Sequence, residues 1–518
     1  MTRLLLPTAL VTPVLDRIAG PGAGGLRSVT PPQAAPAPSS IVTLGQTAPA
    51  PPTYPAPAVP MRAPQAGDAV GQAMLGNLRA DTPAGRYQGL GAALLASFGG
   101  GVDDYAQAVS ASQAPGARAT SDMADQIRLD VRTAGGAIVH IVLGGQAGSL
   151  TASISVTAGQ VSDAERTALA GLGEAFQAAI DGLAAEPPQL DLDGLLHYDT
   201  RAIASIGLQA SVTLRPGQVQ ALSFHADAAG RAVEVDGPAG SVSVNVDLSH
   251  PELVGSAQRQ EAALASYLRQ FGDAAGRGRA DRGLMQLFSE AFTALHADTA
   301  SAPGPLVPVS RAAISPEKTG PGKLLTGLAD FSASVQAQPD SPNLAHPEET
   351  DTFSYQVSQQ TYTGGRGGRD LSVRQTQQSH LSASYHDPLM PGGALMLTPD
   401  RLTQSYYYTR IEDRASSTTD IAYRDGKLAK ATLSQSVDQS THVSKYVTGV
   451  LEDEVVTPRH EARSWNLLHM LQDAVKHQDH EKRPDTSRLQ RTLDIIGNLV
   501  LLSGSPAQLL AKPDDRHV

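Results

Sequence analysis

Between Ile127 and Val450 apolar and polar residues alternate again and again, and a two-residue period commits a segment to a strand with one buried face. Ile127, Leu129 and Val131 alternate with Arg128, Asp130 and Arg132. A nearly continuous apolar run, Ile138 to Leu143, follows the glycines Gly135 and Gly136, which supply the positive φ of a tight turn. Leu150, Ala152, Ile154 and Val156 make a third strand. Four more are expected at 208–214, 219–226, 232–235 and 242–248, separated by Pro216-Gly217, Gly230 and Gly237-Pro238. Beyond residue 350 the pattern continues in a different texture, rich in Ser, Thr and Gln and carrying eight of the thirteen tyrosines. Phe353, Tyr355 and Val357 share one face, as do Leu381, Ala383 and Tyr385, and Asp425-Gly426 is a two-residue hairpin signal between Tyr423 and Leu428. Strands with one apolar and one hydroxyl- or amide-bearing face fit an antiparallel sheet, because parallel sheets are covered on both sides.

Helical periods interrupt the strands. Thr82-Pro83 suits an N-cap and first helical position before Leu90, Leu94, Leu95 and Phe98. Ser162 and Glu165 form a capping-box pattern ahead of Leu169, Leu172, Phe176, Ile180 and Leu183. Two further helices carry Leu264, Leu268 and Phe271, then Leu284, Leu287, Phe288, Phe292 and Leu295. A helix from Arg463 to His477, with Trp465, Leu468, Leu471 and Val475 on its buried face, and another from Leu489 to Leu502 complete the pattern. Runs of strands and runs of helices in this order predict an α+β fold.

At 518 residues the chain exceeds what one core usually needs. The expected organisation is a disordered Pro/Ala-rich leader at 1–80, an α+β domain at 82–298, a Pro/Gly linker at 299–324, a β-rich domain with C-terminal helices at 325–502, and a flexible tail at 503–518. Prolines such as Pro31, Pro36, Pro51 and Pro57 remove the backbone donors that helices and strands need. Arg3 and the apolar stretch Leu4 to Leu15 are read as a short hydrophobic N-terminus, since no small-residue cleavage site follows closely. The compartment is left open between cytoplasm and export. No apolar run is long enough for a transmembrane helix.

The charge and the residue inventory narrow the chemistry. A net charge of −11 repels phosphate backbones, so nucleic acid is not expected as a partner. The chain contains no cysteine, which removes disulfides, thiolate metal sites and thiol nucleophiles. Gly322-Lys323 fails as a phosphate loop, because Glu317 stands where the first glycine belongs and Leu324 where Ser or Thr belongs. His460-Glu461 lacks the second histidine of a zinc-protease helix. Asp191, Asp193 and Gly194 are a fragment of a calcium loop without its distal Glu, and read as a turn. Gly364 to Arg369 reads as a flexible hairpin tip. His469, Asp473 and His477, at i, i+4 and i+8, are candidate metal ligands; opposite the apolar stripe they read as a solvated polar face. No catalytic or cofactor-binding motif is recognised and no cofactor is expected. The expected role is that of a non-enzymatic binding or interaction protein of bacterial composition, with an unidentified protein partner. The rivals are an enzyme with a dispersed site drawn from His197, Asp199, His380, His386 and Asp387, and an assembly factor or chaperone.

Overall fold

A computed structural model describes residues 68–513, apart from 102, 111–124, 147, 186–187, 216, 298, 300–318, 366–368 and 477–485. The described elements run, in chain order, α1 (Ala69–Asn77), α2 (Pro83–Tyr87), α3 (Leu90–Gly99), β1 (Tyr105–Ser110), β2 (Asp125–Thr133), β3 (Ile138–Gln146), β4 (Ser149–Ala158), α4 (Asp163–Gly171), α5 (Gly173–Leu183) and α6 (Asp193–Leu196). Then follow β5 (Ile203–Arg215), β6 (Gln218–Asp227), β7 (Gly230–Gly237), β8 (Gly240–Asp247), α7 (Ala257–Gly278), α8 (Arg282–His296), β9 (Asp330–Ala337), β10 (Thr352–Gly365), β11 (Leu371–Pro388), β12 (Tyr406–Arg424), β13 (Lys427–Val447), β14 (Val450–Asn466), α9 (Leu467–Lys476), α10 (Thr486–Leu499) and α11 (Pro506–Ala511). The fold is α+β, as the sequence pattern implies.

All fourteen described strands join one antiparallel sheet in the order β1-β4-β3-β2-β5-β6-β7-β8-β9-β10-β11-β12-β13-β14. The register keeps apolar residues on a single face across the strands. Leu129 pairs with Leu208, Leu208 with Phe224, Phe224 with Val233 and Val233 with Val244. The row continues from Val244 to Ala333 and from Ala333 to Val357. The helices supply the second layer on this face: Phe176 and Ile180 over the first strands, Phe271 and Phe292 over the middle, Leu471 and Ile496 over the last, all in one contiguous core.

Local signals act where the sequence places them. Ser162 and Glu165 close the capping box of α4, and Glu165 Oε1 also accepts a 2.8 Å hydrogen bond from Gly135 N. Backbone donation from Ser162 leads the effects that hold the Glu165 carboxyl down at about 2. The helix expected to run to Leu183 breaks at Leu172, yet its apolar stripe stays buried as two helices. The β12–β13 turn is the Asp425-Gly426 hairpin, with φ of 51° and 76°, values that a glycine and an aspartate tolerate.

Several boundaries differ from the sequence reading. The leader expected to reach residue 80 ends earlier: α1 starts at Ala69, capped by the Asp68 side chain, because Val70 and Met74 reach the core. Residues 1–67, where the rest of the leader falls, lie outside the described residues. The helix expected from Arg463 begins only at Leu467, because 450–466 pair along β13 as β14; Trp465 is therefore a strand residue opposite Leu433. The tail expected to be flexible from 503 holds α11, capped by Ser505 and anchored by buried Leu509. Lys512 follows it, and its Nζ donates to the carbonyls of Leu499 at 2.9 Å and Leu501 at 2.6 Å and to Gln435 Oε1 at 2.8 Å; burial lowers its pKa to about 7. Finally, the sheet does not stop at the linker. β8 pairs with β9 over its whole length, from Gly240↔Ala337 to Asp247↔Asp330.

His296, near the C-terminus of α8, marks how dry this core is. It is 1% exposed, packs tilted against the Phe292 ring and edge-on against Phe331, and its Nδ1 lies 2.7 Å from the Phe292 carbonyl. Burial first, and the nearby Arg231 guanidinium as well, push its pKa down to about 4 despite the Phe292 bond. The unfolded chain therefore takes up a proton that the native state refuses between about 6.5 and 4. Stability present above pH 6.5 should fall by about 3 kcal/mol as pH drops to 4. Denaturant melts of wild type and His296→Gln across this window test it; parallel curves would refute it.

Candidate functional site on the open face of the sheet

The alternation that aims apolar residues at the helices aims the intervening residues at the opposite face. Two neighbouring cross-strand rows of such residues build a groove. One row is hydroxyl and amide: Ser332 pairs with Ser358, Ser358 with Gln378, Gln378 with Ser416, and Ser416 with Ser436. The other becomes charged toward β14: Ser334 pairs with Gln356, Gln356 with His380, His380 with Arg414, Arg414 with Asp438, and Asp438 with His460. As far as Ser436 and Asp438 on β13, the two rows line a concavity of about 700 Å³ that begins at Ser243 on β8; His460 stands beyond it.

The groove is held loosely where it is charged. His380 Nε2 lies 2.7 Å from Glu412 Oε1, which Arg414 also contacts, and His460 Nδ1 lies 2.6 Å from Asp438 Oδ1. Arg414, Asp438 and His460 are all more than half exposed, so these pairs add little stability and can exchange for a ligand's groups. The Ser416 and Ser436 hydroxyls sit 2.9 Å apart on the floor.

Toward the other end of β11–β13 the same face is closed by the loops before β10 and before β12. Here His386 Nδ1 lies 2.6 Å from Asp351 Oδ1 and its Nε2 lies 3.2 Å from Glu349 Oε2. Tyr406 donates to Glu349 Oε2 at 2.7 Å and accepts from Asn343 Nδ2 at 3.0 Å, while Tyr446 stacks on the Tyr406 ring at 4.9 Å. Burial lowers the His386 pKa, but the bonds and charges of Asp351 and Glu349 outweigh it and bring it to about 9. The same contacts, with Tyr406 and Tyr446, hold Glu349 below its usual range against the effect of burial.

The dispersed catalytic candidates do not meet. His386 has no exposed side-chain surface, and Asp387, next in the strand, turns to the helix face and pairs with Arg279 at the end of α7. His380 lies in the groove, with Glu412. His197 and Asp199 follow α6, the first bonded to the Asp193 carbonyl at 2.8 Å and the second paired with Arg201. His469 and Asp473 pair with each other at 3.0 Å on α9; His477 lies outside the described residues. Among the described residues no group of three His, Asp or Glu side chains is placed to hold a metal ion.

Sequence reasoning missed a second set of polar residues. Gln359, Gln375, Gln377 and Gln435 fall in phase with the apolar positions and are buried. They bond the irregular backbone packed on the helix face: Gln377 donates to the Val500 carbonyl at 2.7 Å and accepts from Leu502 N at 3.0 Å, and Gln375 accepts from Thr326 N at 3.0 Å. Buried backbone outside helices and strands requires such partners. The phase of the glutamines was the available signal. Glu349, Asp351 and Asn343 lie in a loop whose path no local pattern encodes.

Comparison of the chain with protein-family models, with curated proteins and with solved structures found no match.

Proposed function

We propose that the protein is a non-enzymatic binding protein that receives an extended polypeptide on the open face of its sheet. The observation that carries this reading is the groove of about 700 Å³ whose floor is serine hydroxyls and glutamine amides drawn from successive strands. No Phe, Tyr or Trp ring lines it, so it lacks the broad stacking platform for bases that is the main device for holding single-stranded nucleic acid. Its charged end presents both signs, Arg414 beside Asp438 and Glu412. A polypeptide carries hydrogen-bonding amides along its length together with charges of both signs, and so complements both ends of the groove. The enzyme reading is weaker, because His386, set between two carboxylates, is sealed from solvent.

The test is binding to an array of fifteen-residue peptides and to a panel of neutral and acidic polysaccharides. A peptide subset should bind, and Ser416→Trp, which places a ring on the groove floor, should weaken it tenfold or more, about 1.4 kcal/mol. Arg414→Ala with Asp438→Ala should lower the affinity of charged peptides selectively. Binding of polysaccharides alone, or peptide binding indifferent to Ser416→Trp, would refute the proposal.

A further inference from the structure

A second cavity, of about 360 Å³, lies on the opposite face, between α7, strands β10–β13 and the segment 504–508. Its inner wall is apolar, made by Tyr355, Leu381, Ala274 and Ala415, each less than 9% exposed. Two polar features stand out. Gln270, 5% exposed, donates its Nε2 to the Leu502 carbonyl at 2.8 Å, and its buried Oε1 has no partner. Asp273, one turn on, borders the cavity and accepts from Gln508 Nε2 at 2.9 Å. Gln508 is itself oriented, because its Oε1 accepts from Gly504 N at 2.9 Å. A buried acceptor without a donor costs free energy that a ligand's donor would recover.

The charges indicate what kind of donor. Arg277 is engaged by Asp413 through two guanidinium contacts and by Thr441 at 3.0 Å, so this pair cancels within the wall. Arg414 also borders the cavity, but its guanidinium lies with Glu412 on the open face, so Asp273 leaves the cavity with a single net negative charge. Gly504 keeps the space open: a Cβ there would meet Gln270 Cγ at 3.3 Å and Gln508 Oε1 at 3.6 Å. A cavity of this size with an apolar wall and few convergent polar groups has the character of a small-molecule site.

We propose that this cavity binds a small organic monocation, with its ammonium between Asp273 and the free Gln270 oxygen and its apolar body against Tyr355 and Leu381. The site is independent of the groove, since the two use opposite faces of the same strands.

The experiment is titration calorimetry on the full chain with three probes of one shape: 2-phenylethylamine, neutral 2-phenylethanol and anionic 3-phenylpropionate. The amine should bind at least tenfold more tightly than the alcohol, and the acid least. Asp273→Asn, a change of charge at an exposed position, should erase the amine's advantage and leave alcohol binding as it was. Gly504→Val should abolish binding of amine and alcohol alike, whereas Ser416→Trp in the groove should change neither. Absence of amine binding at millimolar concentration, equal binding of amine and alcohol to the wild type, or an unchanged amine affinity in Asp273→Asn would overturn the proposal.

Discussion

Residues 82–298 produced alone are expected to stay molten or to aggregate, although they contain eight of the fourteen described strands and seven of the eleven described α-helices. The reason lies in what the fragment leaves uncovered. β8 would lose β9, its partner along all eight residues, and become a long unpaired edge. The aromatic cluster under α7 and α8 would lose two of its six rings: Tyr267 and Phe292 pack edge-on against Phe331 at 5.2 and 5.0 Å, and Phe271 and Phe288 against Tyr355 at 5.8 and 6.3 Å. Both partners lie beyond the linker. α7 is also tied across it by the Tyr267 hydroxyl, which donates to Gln377 at 2.9 Å, and by the Arg277–Asp413 pair. The measurement compares amide dispersion and denaturant melts of 82–298 with those of 68–513. The longer chain should melt in one cooperative transition, and the fragment should show none. A soluble fragment with its own sharp transition would mean that the first eight strands form a self-sufficient core despite the shared sheet.

Replacing His386 by leucine should destabilise the protein by about 3–5 kcal/mol, the usual cost of removing one member of a buried ion pair. Glu349 and Asp351 would then share the site under the loops without a cation, held only by Tyr406 and neighbouring groups. The loss should depend on pH with a definite sign. The folded pKa of about 9 lies above the unfolded value near 6.5, so the histidine's contribution is fully present below pH 6.5 and disappears as pH rises through 9. Its full size is about 3 kcal/mol. Lys512 works in the opposite sense: its lowered folded pKa makes stability rise between about 7 and 10.5, so the wild-type curve alone mixes the two. The informative quantity is the difference between wild type and His386→Leu, from urea melts between pH 6 and 10. It should be largest near pH 6 and shrink toward pH 10. A difference under about 1 kcal/mol at pH 6, or one that grows with pH, would count against the clamp.

The local code of this protein was legible because it is repetitive. The two-residue alternation in Ile127–Val131 or Phe353–Val357 can satisfy only a strand with one wet face, and Asp425-Gly426 can reverse the chain in a two-residue turn, so strands, hairpins and the α+β class follow from neighbouring residues alone. The Ser162–Glu165 cap is equally local. Boundaries failed where distant partners outvote local preference: Val70 and Met74 draw a helix out of the apparent leader, and pairing with β13 keeps 463–466 extended in a segment with helical periodicity. The change from Ala/Val/Leu-rich to Ser/Gln/Tyr-rich strands resembles a domain boundary, but it reflects what each strand must cover. Gln377 and Gln435 are buried because irregular backbone at 500–502 lies on them, a need that arises only once the chain has folded. By its own pattern the sequence determined that one face would be apolar and the other polar. Only the tertiary structure decided that all fourteen strands share that pair of faces, since register between strands far apart in the chain is set by the core they bury together. That sharing lines up Gln378, Arg414 and Asp438 in one groove, brings Glu349 and Asp351 to His386, and leaves Gln270 beside Asp273 at a cavity no segment encodes alone.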